Sequence, residues 1–373
     1  MINKKSHHPD YTLIAVVLIL LVLGILLLAS VSSVVSQERF GITTHYLFRQ
    51  FILGIAPGAL FGFIAYKINL GFIKKWAWLS VIFSLILMAL VFVPGLGVSS
   101  GSAARWLNLR FFTFQPSELL KLTFIIYLAS WLSARTEKLA VSDKKSWKNT
   151  LVPFLVIIGI IALLLELQSN LSTLMVIAVA ACFVYFTSDT PLWHSFFIFF
   201  VTAAVGLLFI LSSQYRMNRV MVLFDNMKDP MDKSYHLNQA LIAVGSGGVF
   251  GIGLGESHQK FGFLPETISD SVFAIFAEET GFAGALIMIC LFLVFLWRGL
   301  KIAKNSQDKF SKLFSVGLTS WICIQAFINM GAMIGILPLT GIPLPFISYG
   351  GSHMAMELLG IGVLLNISKS ARK

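Results

Sequence analysis

Ten apolar runs long enough for a helical crossing recur along this chain, at roughly 11–35, 46–66, 72–93, 118–134, 151–167, 171–187, 192–212, 271–297, 313–337 and 351–368. A bilayer core takes about 20 mainly apolar residues per crossing, so the pattern confines the chain to a membrane. Of its 373 residues 57% are hydrophobic and only 12% charged, with a mean hydropathy of +0.84, which excludes a water-soluble domain of this size. Each run is continuously apolar, without the polar and apolar alternation of a lumen-facing strand, so helices are expected rather than a barrel. The expected fold is all-α: a polytopic membrane bundle of about ten transmembrane helices, read as a single integral-membrane unit over 1–373. The first run exceeds a signal-peptide h-region and no small-residue cleavage site clearly follows it, so it is expected to stay.

An even number of crossings leaves both termini on one side. Of the 28 Lys and Arg residues, ten fall on the opposite side: Arg39, Arg49, Arg105, Arg110, Lys121, Arg216, Arg219, Lys228, Lys233 and Lys260. The other eighteen flank the side of the termini, which by the positive-inside rule is the cytoplasm. The ten outer cations run against that bias, and some of them are expected to meet an anion. Cys182, Cys290 and Cys323 lie within apolar runs without CxxC spacing, so neither a disulfide framework nor a zinc site is read.

Three connections are long: an outer loop from Pro94 to Pro116, a basic inner loop from Arg135 to Thr150, and an outer loop spanning about 213–270. Within the last, 237–255 is too apolar for water and too short and glycine-rich for a crossing. It is expected to be a re-entrant or interfacial element, because irregular backbone at membrane depth needs protein or a water-filled cavity around it. Gly251-x-Gly253-x-Gly255 has neither the GxGxxG spacing nor the Walker Lys-Ser/Thr of a nucleotide loop. No inverted repeat of the transporter type is evident.

Polar groups cluster at the outer ends of the spans. Gln115-Pro116-Ser117-Glu118 opens a helix on which Glu118 and Lys121 share a face; a structural pair and a substrate contact are both open readings. Arg105 beside Trp106 is an anion candidate, its planar fork suited to phosphate oxygens. The run Pro338 to Ser352 carries Pro338, Pro343 and Pro345 among glycines, which forbids a regular helix; Ser348 reads either as a ligand group or as the cap of the next helix. Acids near hydrocarbon mark functional sites, and Asp270, Glu278 and Glu279 sit at the mouth of the eighth run. From the residues alone, Asp270 reads first as that helix's N-cap. Glu278 and Glu279 lie about 12–13.5 Å of helix beyond it, too far for the roughly 5–9.5 Å of a glycosidase carboxylate pair, and read as packing or loop-clasping acids.

These segments together resemble the shape, elongation, division and sporulation (SEDS) family. The resemblance rests on Pro338 to Ser352, Arg105-Trp106, Phe114 to Leu119, Gly245-Ser246-Gly247-Gly248, Gln259-Lys260, Leu264-Pro265-Glu266, and Asp270 ahead of Ala277-Glu278-Glu279-x-Gly281. Gly253-x-Gly255-x-Ser257-x-Gln259-Lys260 is more similar to the division and sporulation branch (FtsW, SpoVE) than to the elongation branch (RodA). The chain departs from the family pattern at Asn170, where an acid is usual, and at Ser271, Thr267-Ile268-Ser269 and His353.

The resemblance implies a peptidoglycan glycosyltransferase that polymerises lipid II, the undecaprenyl-diphosphate-linked disaccharide, at the outer face of the bacterial cytoplasmic membrane. It also implies work in cell division with a class B penicillin-binding transpeptidase and other divisome proteins; nucleic acid is not expected as a partner. Asp270 takes the role of essential acid, written here as general base toward the acceptor hydroxyl. Arg105 and Lys260 would stabilise the departing diphosphate, a divalent cation (Mg or Mn) is compatible with that step, and no organic cofactor is expected. Gln259, Glu118, Lys121 and Ser348 complete the expected substrate contacts. Two other readings stay open: a lipid II flippase, and a division scaffold with an impaired site.

Overall fold

The computed structural model describes residues 8–100, 103–138, 147–224 and 234–371. Most of the basic inner loop, and Lys228 and Lys233, lie outside the described residues. Helix α1 (Tyr11–Phe40) is followed by α2 (His45–Gln50), a π-turn at Phe51–Ile55 and α3 (Ala56–Lys67), which run on as one crossing, and then by α4 (Leu70–Leu90). After a small sheet come α5 (Pro116–Lys138), α6 (Trp147–Leu167), α7 (Leu171–Phe186) and α8 (Leu192–Leu211), then the shorter α9 (Gln214–Phe224) and α10 (Tyr235–Ser246). Three long helices close the chain: α11 (Val272–Asn305), α12 (Lys309–Met333) and α13 (Gly351–Ser370). Eight crossings are long and apolar enough to span a bilayer among the described residues; the 16-residue α7 and the 20-residue, almost wholly buried α13 complete the expected ten.

α12 is the central post. Nearly every side chain along it is buried, including Trp321, Gln325 and Asn329, and it packs on α5, α7, α11 and α13. α13 lies against α3 through a stripe of Gly54, Gly58 and Gly62. A Cβ at Gly62 would stand 2.7 Å from the Leu358 carbonyl oxygen, and one at Gly362 would stand 2.0 Å from that of Gly62. Small residues four apart let two backbones close up, and close packing drives helix association in lipid.

One departure from the all-α expectation is the loop after α4. It forms a three-stranded antiparallel sheet, β1 (Gly97–Ser100), β2 (Ala103–Asn108) and β3 (Thr113–Phe114), with Val98 opposite Trp106 and Leu107 opposite Phe114. Its unpaired backbone groups find partners in one another, and the turn at Arg110 is held by its N–H donating to Asn108 Oδ1 at 2.9 Å.

The glycine-rich stretch after α10 is the irregular element that the sequence implies, and its cover is α11. At Gly281, with φ 67° and ψ −167°, α11 breaks. The irregular 248–253 segment fills the gap: Ile252 and Gly253 donate to the carbonyls of Glu278 and Glu279 (3.1 Å each), while Phe282 and Ala283 donate to Gly248 and Val249 (2.9 and 3.0 Å). The carboxylate of Glu278 accepts from Ser257 Oγ and His258 N, and that of Glu279 from Ser30 Oγ, so both acids clasp loops to helices. Gly251 crosses so close that an added Cβ would meet the Glu279 carbonyl oxygen at 2.2 Å, and its φ of +81° is itself unfavourable for other residues. Gly251→Ala should therefore cost more than the about 1–2 kcal/mol of left-handed backbone alone, visible as a fall in melting temperature of the purified protein. An unchanged melting temperature would show that the segment does not seat in the helix break.

Candidate active site

The Pro338–Gly350 loop cannot form its own ladder, because Pro338, Pro343 and Pro345 lack an N–H, so buried side chains from three helices hold it in place. Asn329 Nδ2 donates to the Ile342 carbonyl at 2.8 Å and, in the same grip, to the Asp270 carbonyl at 2.8 Å. Gln325 Nε2 donates to Pro343 O (3.0 Å). Glu357 Oε2 accepts from the N–H of Phe346 (3.0 Å), whose φ is +63°. Gln50 receives the Gly350 N–H (2.8 Å) and donates to Ser348 O (3.4 Å). Tyr349 N–H donates to Ile268 O at 2.9 Å, joining the loop to the segment that ends in Asp270.

That clamp puts the Asp270 carboxylate against the loop's bare turn: a Cβ on Gly341 would lie 3.3 Å from Asp270 Oδ2. No described residue donates a hydrogen bond to this carboxylate, and its carboxyl pKa is raised to about 7. Burial is the main cause and the neighbouring Glu266 charge adds to it, while Arg219 and Arg105 pull the other way. Each arginine is held by carbonyls. Arg105, on β2, donates from Nε to Gln168 O (3.1 Å) and from its terminal nitrogen to Ser169 O, at the end of α6. Arg219, on α9, donates to Leu339 O at 2.7 Å. Two guanidinium groups and one carboxylate of raised pKa thus converge beside an exposed glycine.

The N-cap reading of Asp270 does not hold: Ser271 occupies the cap position of α11, and its hydroxyl donates to Pro265 O (2.8 Å) and pairs with His236 Nε2 (2.8 Å). Asn170, where the family pattern has an acid, serves the fold, capping α7 through Thr173 N (3.4 Å) and donating to Ser117 Oγ (3.4 Å). Neither departure touches the Asp270 carboxylate.

Other expected substrate contacts lie elsewhere. Ser348 is wholly buried; its hydroxyl donates to Ser269 O and accepts from Leu344 N (2.8 Å), so it staples two loops. Lys121 and Glu118, 2% and 3% exposed, pair at 2.8 Å, and Lys121 also donates to Gln325 Oε1 (2.7 Å) and lies over the Trp321 ring. They brace the loop from behind, through Gln325 to Pro343. Lys260 is buried too, donating to Gly255 O and Ser30 Oγ and standing 3.9 Å from Glu279. None of these partners belongs to the Asp270 site. Gln259, beside it on the same turn, has a buried Oε1 without a partner among the described residues.

Reasoning from sequence gave no site role to Glu266, Gln325, Asn329 or Glu357, and named Arg219 only among the outer cations. A signal existed for three of them: Gln325 and Asn329 lie four apart in an apolar run, and Glu357 is an acid inside one, the pattern that marks function or buried polar packing in a membrane. As for a metal, no three His, Cys, Asp or Glu side chains converge among the described residues. Glu266 and Asp270 are the carboxylates that meet, and Mg2+ is commonly held by one or two carboxylates together with substrate phosphates. The pair fits that donor set.

Comparison with known proteins follows this geometry. Residues 11–373 match the model of the FtsW/RodA/SpoVE cell cycle protein family. The chain belongs to that family. It is 35% identical over the whole of both chains to stage V sporulation protein E of Bacillus subtilis. It is 33% identical over 99% of each chain to a probable peptidoglycan glycosyltransferase FtsW of Geobacter sp. strain M18. Among solved structures, a chain of a peptidoglycan synthase complex superposes with a TM-score of 0.76 at 26% identity, covering 96% of this chain and 97% of that one. The rod shape determining protein RodA of Thermus thermophilus superposes at 0.69, also at 26% identity, over 98% of each. The expected family and the helical membrane fold are thus established.

Two stability outcomes test the site as drawn. For Asp270 the folded-state pKa lies above the ordinary carboxyl value of 3.8, so the folded protein binds the proton more tightly and stability falls as pH rises from about 4 to about 7. Asp270→Asn should accordingly melt higher than wild type at pH 8, with the gap closing toward pH 4; equal melting at pH 8 would contradict a desolvated carboxylate. Glu357→Gln keeps an acceptor for the Phe346 N–H and should be tolerated, whereas Glu357→Leu leaves that donor unpaired at a cost of about 1–3 kcal/mol, read in the same melting assay.

Proposed function

We propose that this protein is a peptidoglycan glycosyltransferase that polymerises lipid II at the outer face of the bacterial cytoplasmic membrane, with both termini in the cytoplasm. The observation that carries the reading is the Asp270 carboxylate, which accepts no hydrogen bond from the described residues and has its pKa near neutrality between Arg105 and Arg219. A base needs a pKa close to the working pH, and Asp270 has one.

Chain growth joins a sugar hydroxyl of one lipid-linked disaccharide to the anomeric carbon of another. As the new C–O bond forms, Asp270 takes the hydroxyl proton. The bond from the anomeric carbon to the diphosphate breaks, and the lipid diphosphate leaves with the electron pair. Arg105 and Arg219 supply the donors that stabilise the charge growing on the departing diphosphate; Arg219 replaces Lys260 in this role, because Lys260 is committed to Gly255, Ser30 and Glu279. A divalent cation held by Glu266 would neutralise part of the same diphosphate charge and leave the Asp270 carboxylate to act as base. The carbonyls that hold both arginines fix them before substrate arrives, so little reorganisation is needed during reaction.

The likeness to a chain of a synthase complex supports a transpeptidase of the class B penicillin-binding type as partner, and the FtsW and sporulation relatives support a place among division proteins. Glycan chains formed from lipid II by the purified protein in detergent, with and without that transpeptidase, test the reading directly, because a flippase leaves the disaccharide count unchanged. Asp270→Asn should lower the polymerisation rate by at least about a hundredfold; a rate equal to wild type would falsify the base assignment.

The pH profile carries a sign that separates the neighbours. The wild-type rate should rise with an acid limb near pH 7. Glu266→Gln removes a charge that raises the Asp270 pKa and should move the limb down, while Arg219→Gln removes one that lowers it and should move the limb up. Movement of both variants in the same direction would overturn the electrostatic account.

A further inference from the structure

We propose that α4 and α5 form a binding site for the phosphate headgroup of an anionic phospholipid, at the end of the bundle opposite Asp270. A cavity of about 330 Å3 opens there, lined by Lys74, Trp78, Tyr127, Ser130, Trp131 and Arg135 among others, within the about 300–1,000 Å3 usual for small-ligand sites. Its position follows from the helices: Arg135 is nineteen residues beyond Pro116 on α5, about 28 Å along the axis, and Lys74 is in the first turns of α4, whose far end leads into the β-sheet.

Two cations, Lys74 and Arg135, line this cavity, and no acid is among its lining residues. Among the described residues neither the Lys74 ammonium nor the Arg135 guanidinium has an ion-pair partner, and Arg135 Nε is fully buried with no acceptor. Three other cations of the bundle are paired with acids: Lys121 with Glu118, Arg216 with Glu166, Arg298 with Asp10. A buried donor without an acceptor is costly, and two like charges in one groove repel, so the arrangement is stabilised by an anion. The groove is held open by the fold, since Ser130 Oγ donates to the Lys74 carbonyl (3.1 Å) and pins α5 to α4 at this level.

The anion's class follows from the walls. Indole rings at the headgroup level anchor membrane proteins, and basic pockets between membrane helices take lipid phosphates. Trp78 and Trp131 line the cavity beside the two cations, so its walls suit a phosphate held at the membrane rim, that of a lipid headgroup. The site itself stands on the geometry, and its assignment to the cytoplasmic leaflet rests on the topology proposed above.

The test is binding of phosphatidylglycerol to the full chain in detergent, by native mass spectrometry and by thermal shift, against phosphatidylethanolamine and inorganic phosphate. Wild type should bind phosphatidylglycerol roughly tenfold or more tightly than phosphatidylethanolamine, and Lys74→Gln/Arg135→Gln should lose that preference. Lys74→Arg should keep it, which separates charge from folding. A preference unchanged in the double variant, or absent in wild type, would overturn the site. Displacement of the lipid by inorganic phosphate at equal concentration would overturn the lipid assignment. Because no lipid II is present, these outcomes are read independently of whether the chain polymerises it.

Discussion

Backbone polar groups at membrane depth have no water to turn to, and this protein has two stretches where regular helix is abandoned. One is the break at Gly281 in α11, the other the proline-rich loop between α12 and α13. The first is repaired by backbone, through the 248–253 segment. The second is repaired by side chains: Gln325, Asn329, Glu357 and Gln50, all buried, donate to or accept from a loop that cannot satisfy itself. The site depends on that second repair, because it brings Gly341 to Asp270.

The buried polar groups therefore divide by task. Glu118 and Lys121 brace Gln325, Glu357 fixes Phe346, and Ser348 joins the two loops, all without reaching the open side of the site. Arg105 and Arg219 are also restrained by hydrogen bonds to carbonyls, contacts that do not cancel their positive charge. A carboxylate desolvated beside such groups has its charge balance set by neighbours of both signs. The raised pKa of Asp270 reflects burial and Glu266 prevailing over the two arginines. Holding an acid in that state opposes stability at neutral pH, as sites that exchange protons commonly do.

Much of the architecture was legible before any coordinates. Run length gave the crossings, continuous hydrophobicity gave helices, and the glycines after α10 indicated covered, irregular backbone. The small sheet was not legible, since its pairing joins Val98 to Trp106 and Leu107 to Phe114 across short strands without a clear alternation. The buried partners of Ser348 and Lys260 were not legible either, because a hydroxyl or an ammonium in a polar motif looks the same whether it awaits a ligand or already has protein partners.

The amino-acid order by itself determined that the chain lies in a membrane, where its helices fall, which loops must be irregular, and that an acid stands ahead of the eighth crossing, because each follows from local composition and backbone chemistry. Only the tertiary structure decided what surrounds that acid. Arg105, Arg219, Glu266 and Gly341 come from four separate segments, and their meeting is fixed by helix packing around α12, a through-space relation that no spacing along the chain encodes.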